Sequence, residues 1–250
     1  MESQGATGKG NFNTRNMKFE LDTDKPQEVA QAQPIRYGKL DLRCMDNMEL
    51  MAQFPDKHFE LAIVDPPYGI KRDSGFDGFG GFGAPIARKV YKGNWDSETP
   101  SVEYFNELLR VSKNQIIWGG NFFTDKIPQA NHWVFWDKKN TMPTFGDGEL
   151  AWTSFQRNSV KQIDVEYNGL IGKEKNRIHA TQKPVLLYKK ILANYAKQGD
   201  KILDTHLGSG SIAIACHYLG YDLTGCELDA DYFQAMQDRI KRETQQLTLL

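Results

Sequence analysis

A chain of 250 residues with 40% hydrophobic and 25% charged residues has the composition of one sizeable folded domain. Its formal net charge of −1 gives no overall attraction to polyanions or membranes, so any nucleic-acid surface must be a local patch. No apolar run approaches the ~18 residues of a membrane span, no basic and apolar leader opens the chain, and Cys44, Cys216 and Cys226 lack metal-ligand spacing, which reads as a reduced, metal-free cytoplasmic protein.

Residues 1–36, rich in Gly, Asn, Gln and charge, read as a mobile tail, with 37–250 as the folded domain. Residues 40–44 read as a strand, 46–54 as a short helix and 59–64 as a strong strand. That strand runs into Asp65-Pro66-Pro67-Tyr68. Neither proline donates a backbone hydrogen bond and both fix φ, so the strand must stop in a stiff, extended turn. Such a turn can offer a carboxylate, carbonyl oxygens and a flat ring to one small space, which suits a planar substrate bearing an exocyclic amine. Taken alone, the same residues are equally a strand end with Tyr68 as packing.

A long loop, 69–100, follows, with glycines at 75, 78, 80, 81 and 83. Residues 101–112 place Val102, Phe105, Leu108, Leu109 and Val111 at helical spacing. Segments 115–118, 133–136 and 150–155 read as strands, and 160–167 is a further candidate inside a second long segment, 156–180. Loops of such length in compact domains tend to be functional or disordered. Pro184 opens a helix that Gly199 ends. A strand at 201–204, a helix at 211–219, a strand at 222–226 and a helix at about 229–243 complete the chain. This alternation predicts an α/β fold with a mostly parallel sheet.

The second chemical signal is the strand ending at Asp204, followed by Thr205-His206-Leu207-Gly208-Ser209-Gly210-Ser211 and a helix. Glycines there let a ligand approach the backbone. Glu227 ends the next strand, where an acid can accept from ribose hydroxyls. The glycines alone also fit a dinucleotide fingerprint, so a nicotinamide-dependent oxidoreductase competes. Two features weigh against it. Only about 40 residues follow Gly210, too few for a full set of strands, so the sheet must borrow the strand carrying Asp65. A carboxylate at Asp204 suits a cationic ligand better than a pyrophosphate.

In order, Asp65-Pro-Pro-Tyr68, His179-Ala-Thr-Gln-Lys-Pro184, Leu203-Asp-Thr-His-Leu-Gly-Ser-Gly-Ser211 and Gly225-Cys-Glu-Leu-Asp229 resemble the motifs of the β-class amino-methyltransferases of DNA. Catalytic motif first and cofactor motif last is that class's order. The resemblance covers roughly 38–242, and segments 105–122 and 132–155 also resemble stand-alone phage or prophage adenine methylases. It implies a Rossmann-like class I fold with a circularly permuted, mostly parallel, seven-stranded sheet, S-adenosylmethionine as cofactor and DNA as substrate. It further implies that Asp65 and the Pro66 carbonyl accept the two N–H bonds of the target amine. Tyr68 then stacks on the base, with Pro67 completing the turn. Asp204, Gly208, Ser209 and Gly210 form the loop under the cofactor's methionine. Glu227 binds the ribose, Leu228 packs on the adenine, and Thr181 and Lys183 line the carboxylate end. Asp46 stands where relatives often carry an acid near the cofactor adenine. Thr205-His206 replaces the Pro-Phe of many relatives, so His206 either contacts cofactor or amine, or packs. Relatives often dimerise, which makes a homodimer an open expectation.

An exocyclic amine is a poor nucleophile because its lone pair is delocalised into the ring. Two acceptors can hold both N–H bonds and favour the localised form, and no covalent enzyme intermediate is needed. None of the three cysteines follows a proline, as the nucleophile of a C5-cytosine methylase would. Within a duplex the amine is out of reach, so the base must be flipped out. In this family an acid at the head of the tetrapeptide points to adenine N6. Cytosine N4 of DNA, an RNA substrate and a fold that binds nucleic acid without turnover remain alternatives. Phosphate contacts are expected from Lys173, Lys175, Arg177, Lys183, Lys189 and Lys190, and from Lys71, Arg72, Arg88, Lys89 and Lys92 in the loop that also holds Phe76, Phe79 and Phe82.

Overall fold

A computed structural model describes residues 35–70, 96–140, 146–167, 177–179 and 181–245. Nearly all of the expected tail, the basic and aromatic residues of loop 69–100 named above, and Lys173 and Lys175 lie outside the described residues.

The elements are β1 (Ile35–Tyr37), β2 (Leu40–Cys44), α1 (Asn47–Met51), β3 (Phe59–Val64), α2 (Val102–Val111), β4 (Ser112–Trp118), a 3₁₀ turn at Gly120–Phe122, β5 (His132–Asp137), β6 (Gly148–Thr153), β7 (Ser159–Asp164), α3 (Val185–Tyr195), β8 (Lys201–Asp204), α4 (Ser211–Leu219), β9 (Asp222–Glu227) and α5 (Ala230–Gln245). They build a nine-stranded sheet ordered β1-β2-β9-β8-β3-β4-β6-β5-β7. The seven inner strands are those the sequence predicts. β1 and β7 extend the sheet at its edges, and β1, β4–β6 and β5–β6 supply the antiparallel pairings in an otherwise parallel sheet. β1 starts within the residues expected to be tail, and β7 bears out the candidate strand at 160–167 inside the long segment 156–180. As an edge strand β7 has one open flank and buries only Ile163, so its apolar alternation is weak.

Helices cover both faces. Leu61 and Ile63 of β3 pack with Leu187, Ile191, Ile212, Met236 and Ile240 from α3, α4 and α5. Their neighbours Ala62 and Val64 turn to Leu50, Met51, Phe105 and Leu108 from α1 and α2. Burial on both faces explains why β3 reads as a continuous apolar run rather than an alternating one. Among the described residues, no helix is long and apolar enough to cross a membrane.

The order of strands fixes where a ligand can sit. The connection from β8 through α4 leads to β9 on one side, whereas β3 through α2 leads to β4 on the other. β8 and β3 lie side by side and parallel, with Leu61 opposite Ile202 and Ala62 opposite Leu203. Their carboxyl ends therefore open into one crevice at the point where the strand order reverses, the usual binding place of an open α/β sheet. Asp65 and the glycine loop after Asp204, far apart in sequence, meet there.

Candidate active site

A cavity of about 710 Å³ occupies that crevice. Its walls include Asp65 and Pro67 after β3, His206, Gly208 and Ser209 after β8, Glu227 and Leu228 after β9, Thr181 and Lys183 before α3, and Asp46 and Asn47 at α1. The sequence-predicted residues thus largely converge. Pro66, Tyr68, Asp204 and Gly210 stand behind the wall rather than on it.

The turn after β3 is held from several sides. Asp96 is buried, and its Oδ1 accepts from the backbone N–H of Tyr68 at 2.7 Å and of Gly69 at 2.9 Å. Those bonds satisfy donors that a Pro-Pro strand end leaves without ladder partners. The Tyr68 hydroxyl donates to Asp65 Oδ1 at 2.6 Å, and Lys183 Nζ donates to Asp65 Oδ2 at 2.5 Å. The Tyr68 ring lies nearly parallel to Phe122, with centroids 5.1 Å apart, and is edged by Phe123. Gly119 makes this fit possible, because a Cβ there would overlap the Tyr68 ring.

Lys183 was expected at the cofactor's carboxylate end and in the phosphate-binding patch. Its ammonium instead lies between Asp65 and Glu149, with only 3% of the side chain exposed, so it is no phosphate ligand. Burial opposes its charge, but the two carboxylates hold its pKa above the usual lysine value. Lys189 lies over the Tyr218 ring and Lys190 donates to the Asp164 carbonyl, so these two are also engaged locally.

On the other side, Glu227 Oε2 accepts from Gly208 N–H at 2.8 Å and Oε1 from Asp229 N–H at 3.1 Å. Desolvation raises its pKa despite these bonds. The carboxylate is fixed and faces the cavity, with lone pairs left for a diol. Gly208 has φ of +48°, and a Cβ there would come within 3.7 Å of the His179 ring. Gly210, at φ +73°, meets Met236 instead, so it serves the turn and the packing of α5 rather than ligand approach. Leu228 is 71% exposed at the rim. The Ser209 hydroxyl is tied to Ser211, and Thr181 to His179 Nδ1.

Asp204 departs from the sequence reading, and Asp46 has a second role besides lining the cavity. The Asp204 carboxylate is 2% exposed and turned inward to accept from His206 N–H at 2.9 Å. Burial pushes its pKa up to about 8, and Asp65 and Glu227 add to the rise. Asp46 Oδ1 caps α1 by accepting from Met48 and Glu49 N–H, an N-cap role that competes with ligand contact. His206 lines the cavity, where its Nε2 meets Asn47 Nδ2 at 3.1 Å and its Nδ1 meets Thr205 Oγ1 at 2.9 Å. Burial lowers its pKa to about 4, so it is neutral near pH 7. An amide N–H at Nε2 makes that nitrogen the acceptor and leaves the proton on Nδ1. Thr205 in turn meets the Tyr104 hydroxyl at 2.7 Å. The Thr-His departure thus comes with a hydrogen-bonded network linking α1, α2 and the glycine loop. Among the described residues no cluster of three or more His, Cys, Asp or Glu could hold a metal.

Sequence reasoning missed Asp96, Glu149 and Phe122. None has a local pattern that marks it. Glu149 and Phe122 reach the site only through the β4–β6 part of the sheet, and Asp96 through the end of a long loop.

A family model described as DNA methylase of the N6/N4 type matches residues 126–238. That stretch holds the glycine loop and Glu227 but stops short of Asp65. Type II methyltransferase M2.DpnII of Streptococcus pneumoniae is 22% identical over 252 residues, covering 83% of this chain and 92% of that protein. Over this stretch, and in its similarity to that relative, the chain resembles the N4/N6 DNA methylases. Among solved structures, the M1.HpyAVI–SAM complex superposes with a TM-score of 0.53 at 18% identity, covering 80% of this chain and 98% of that chain. The cytosine-N4-specific PvuII DNA methyltransferase gives a TM-score of 0.51 at 15% identity, covering 82% and 90%. Both share the fold of this chain.

Proposed function

We propose that this protein transfers a methyl group from S-adenosylmethionine to N6 of an adenine flipped out of DNA. The observation that carries the reading is one cavity bounded by a polar strand-end carboxylate, Asp65, on one side and a ribose-type carboxylate, Glu227, on the other. The donor set fits the cofactor: Glu227 for the ribose hydroxyls, the bare Gly208 backbone for close approach, and Leu228 and Met48 as apolar surface at the other end. The cofactor supplies an electrophilic methyl on a sulfonium.

The chain's own residues then do three things. Asp65 accepts an N–H of the amine and stabilises the positive charge that grows on nitrogen as the methyl arrives. With the cofactor held there, the amine nitrogen would gain the methyl carbon, the carbon–sulfur bonding pair would stay with sulfur, and the amine's surplus proton would leave to solvent. The stiff turn fixed by Asp96 keeps Asp65 from following the base. The Tyr68 ring offers a stacking face once Phe122 turns aside. Such stacking is worth about 1–3 kcal/mol per base. An acid heading the tetrapeptide supports adenine over cytosine.

The test is labelled methyl transfer from S-adenosylmethionine to mixed-sequence duplex DNA, followed by nucleoside analysis. N6-methyladenine is the expected product. N4-methylcytosine would move the substrate to the other base, and no labelled nucleoside would remove the activity.

A further inference from the structure

Glu149 has no place in the family motifs, yet it stands at the back of the catalytic turn. From β6 it sends Oε1 to Lys138 Nζ at 2.6 Å and Oε2 toward Lys183 Nζ at 3.2 Å. Among the described residues its buried Oε2 has no hydrogen-bond partner, so the ion pair with Lys183 is what that oxygen is there for. Burial opposes the charge on Glu149, but Lys183 and Lys138 prevail and bring its pKa down to about 2. It is therefore ionised throughout the neutral range.

Lys183 has few choices of its own. Its ammonium touches Asp65 Oδ2, the Tyr68 hydroxyl at 3.2 Å and Glu149 Oε2, and it sits over the Trp118 and Tyr68 rings. A buried ammonium with one carboxylate partner would place its whole attraction on that partner and be free to follow it. With two anions within 3.2 Å it is pinned. Pinned, it fixes one oxygen of Asp65 and so orients the carboxylate plane, leaving Oδ1 toward the Tyr68 hydroxyl. Oδ1 is the oxygen an incoming amine can claim by displacing the Tyr68 hydroxyl as donor.

We infer that Glu149 is a positioning residue for methyl transfer: through Lys183 it holds the Asp65 carboxylate in the orientation that presents Oδ1 to the target amine. The inference rests on the function proposed above. Small errors in the placement of a reacting group cost large factors in rate, whereas binding of the cofactor on the far side of the cavity does not depend on this orientation.

The experiment is a double-mutant cycle with E149Q and K183M, read as single-turnover methyl transfer to duplex DNA at saturating S-adenosylmethionine. Cofactor affinity by calorimetry and thermal unfolding are measured on each protein. Gln keeps the shape and removes the charge. E149Q is expected to lower the transfer rate at least about tenfold, with cofactor affinity and KM for DNA within about threefold of the unchanged chain. In the K183M background the same substitution is expected to change the rate less than about twofold, because the residue through which it acts is gone. If E149Q does not fold, Glu149→Asp is assayed instead, since it withdraws the charge by one methylene; a rate loss with intact affinity is again expected. A transfer rate within a few-fold of the unchanged protein, an equal loss in both backgrounds, or a loss confined to cofactor affinity would each overturn the assignment. An unsubstituted protein that methylates no DNA would instead overturn the proposed function itself.

Discussion

Replacing Glu227 tests the cofactor half of the cavity. Its two oxygens already accept one backbone N–H each, from Gly208 and Asp229, so the carboxylate cannot swing and any diol must come to it. A hydrogen bond to a charged acceptor contributes about 1.5–3 kcal/mol, so two such bonds lost in E227A amount to roughly 3–6 kcal/mol, or about 10²–10⁴-fold in affinity. E227Q keeps one good acceptor and the shape, and is expected to lose about one bond's worth, roughly 10–100-fold. The assay is calorimetric titration with S-adenosylmethionine, beside thermal unfolding to separate ligand loss from loop loss. At saturating cofactor the transfer rate should stay within a few-fold, because Glu227 stands across the cavity from Asp65. Unchanged affinity in E227A would show that the ribose does not lie on this carboxylate, and the cofactor placement would be wrong.

Asp204 gives a pH prediction. Its pKa is raised by burial from 3.8 to about 8, so the acid is protonated when folded and ionised when unfolded over that interval. Folding then takes up a proton, and the stability this group contributes is full below the unfolded value and lost as pH rises through the interval. D204N mimics the protonated acid, so its stability advantage over the unsubstituted protein should widen by about 1.4 kcal/mol per pH unit between about pH 4 and 8, read as unfolding midpoints in denaturant. Parallel pH profiles for the two proteins would refute it. D96A removes the acceptor of two turn N–H groups, Tyr68 and Gly69, and is expected to destabilise by about 2–4 kcal/mol while lowering transfer more than cofactor affinity. A loss of cofactor affinity alone would contradict that. G119A puts a methyl into the Tyr68 ring at a backbone φ of +67°, so transfer should fall with Tyr68 displaced; a fully active G119A would mean that the ring position is not used.

How much of this could be read from residues alone depends on how local the cause was. The stop after Val64 is written in two prolines, and the bend after Asp204 in two glycines with positive φ, so both halves of the site were legible. Their meeting followed from counting strands: too few remained after Gly210 to complete a sheet without β3. What escaped has long-range causes. Lys183 lies beside Thr181 in sequence, which suggested the cofactor, but its long side chain turns to Asp65 and Glu149 across the sheet. Asp204 looked like a ligand-facing acid, and only the structure shows its carboxylate folded back on His206 N–H. Asp46 lines the cavity as expected of its position, but Ser, Asp and Asn before a short helix are also ordinary caps, and its Oδ1 serves α1. β7 leaves only a weak pattern because it buries Ile163 alone, yet the candidate strand at 160–167 overlaps it.

The proposed function divides labour within one cavity, with chemistry at the β3 tip and cofactor at the β8 and β9 tips. Single-turnover methyl transfer by D65A, beside its affinity for S-adenosylmethionine, tests this most directly. Loss of one acceptor that acts in the transition state predicts a rate reduced at least about 100-fold, with cofactor affinity within a few-fold of the unsubstituted protein. Transfer within a few-fold of normal would contradict the claim, and so would a cofactor affinity that falls as far as the rate.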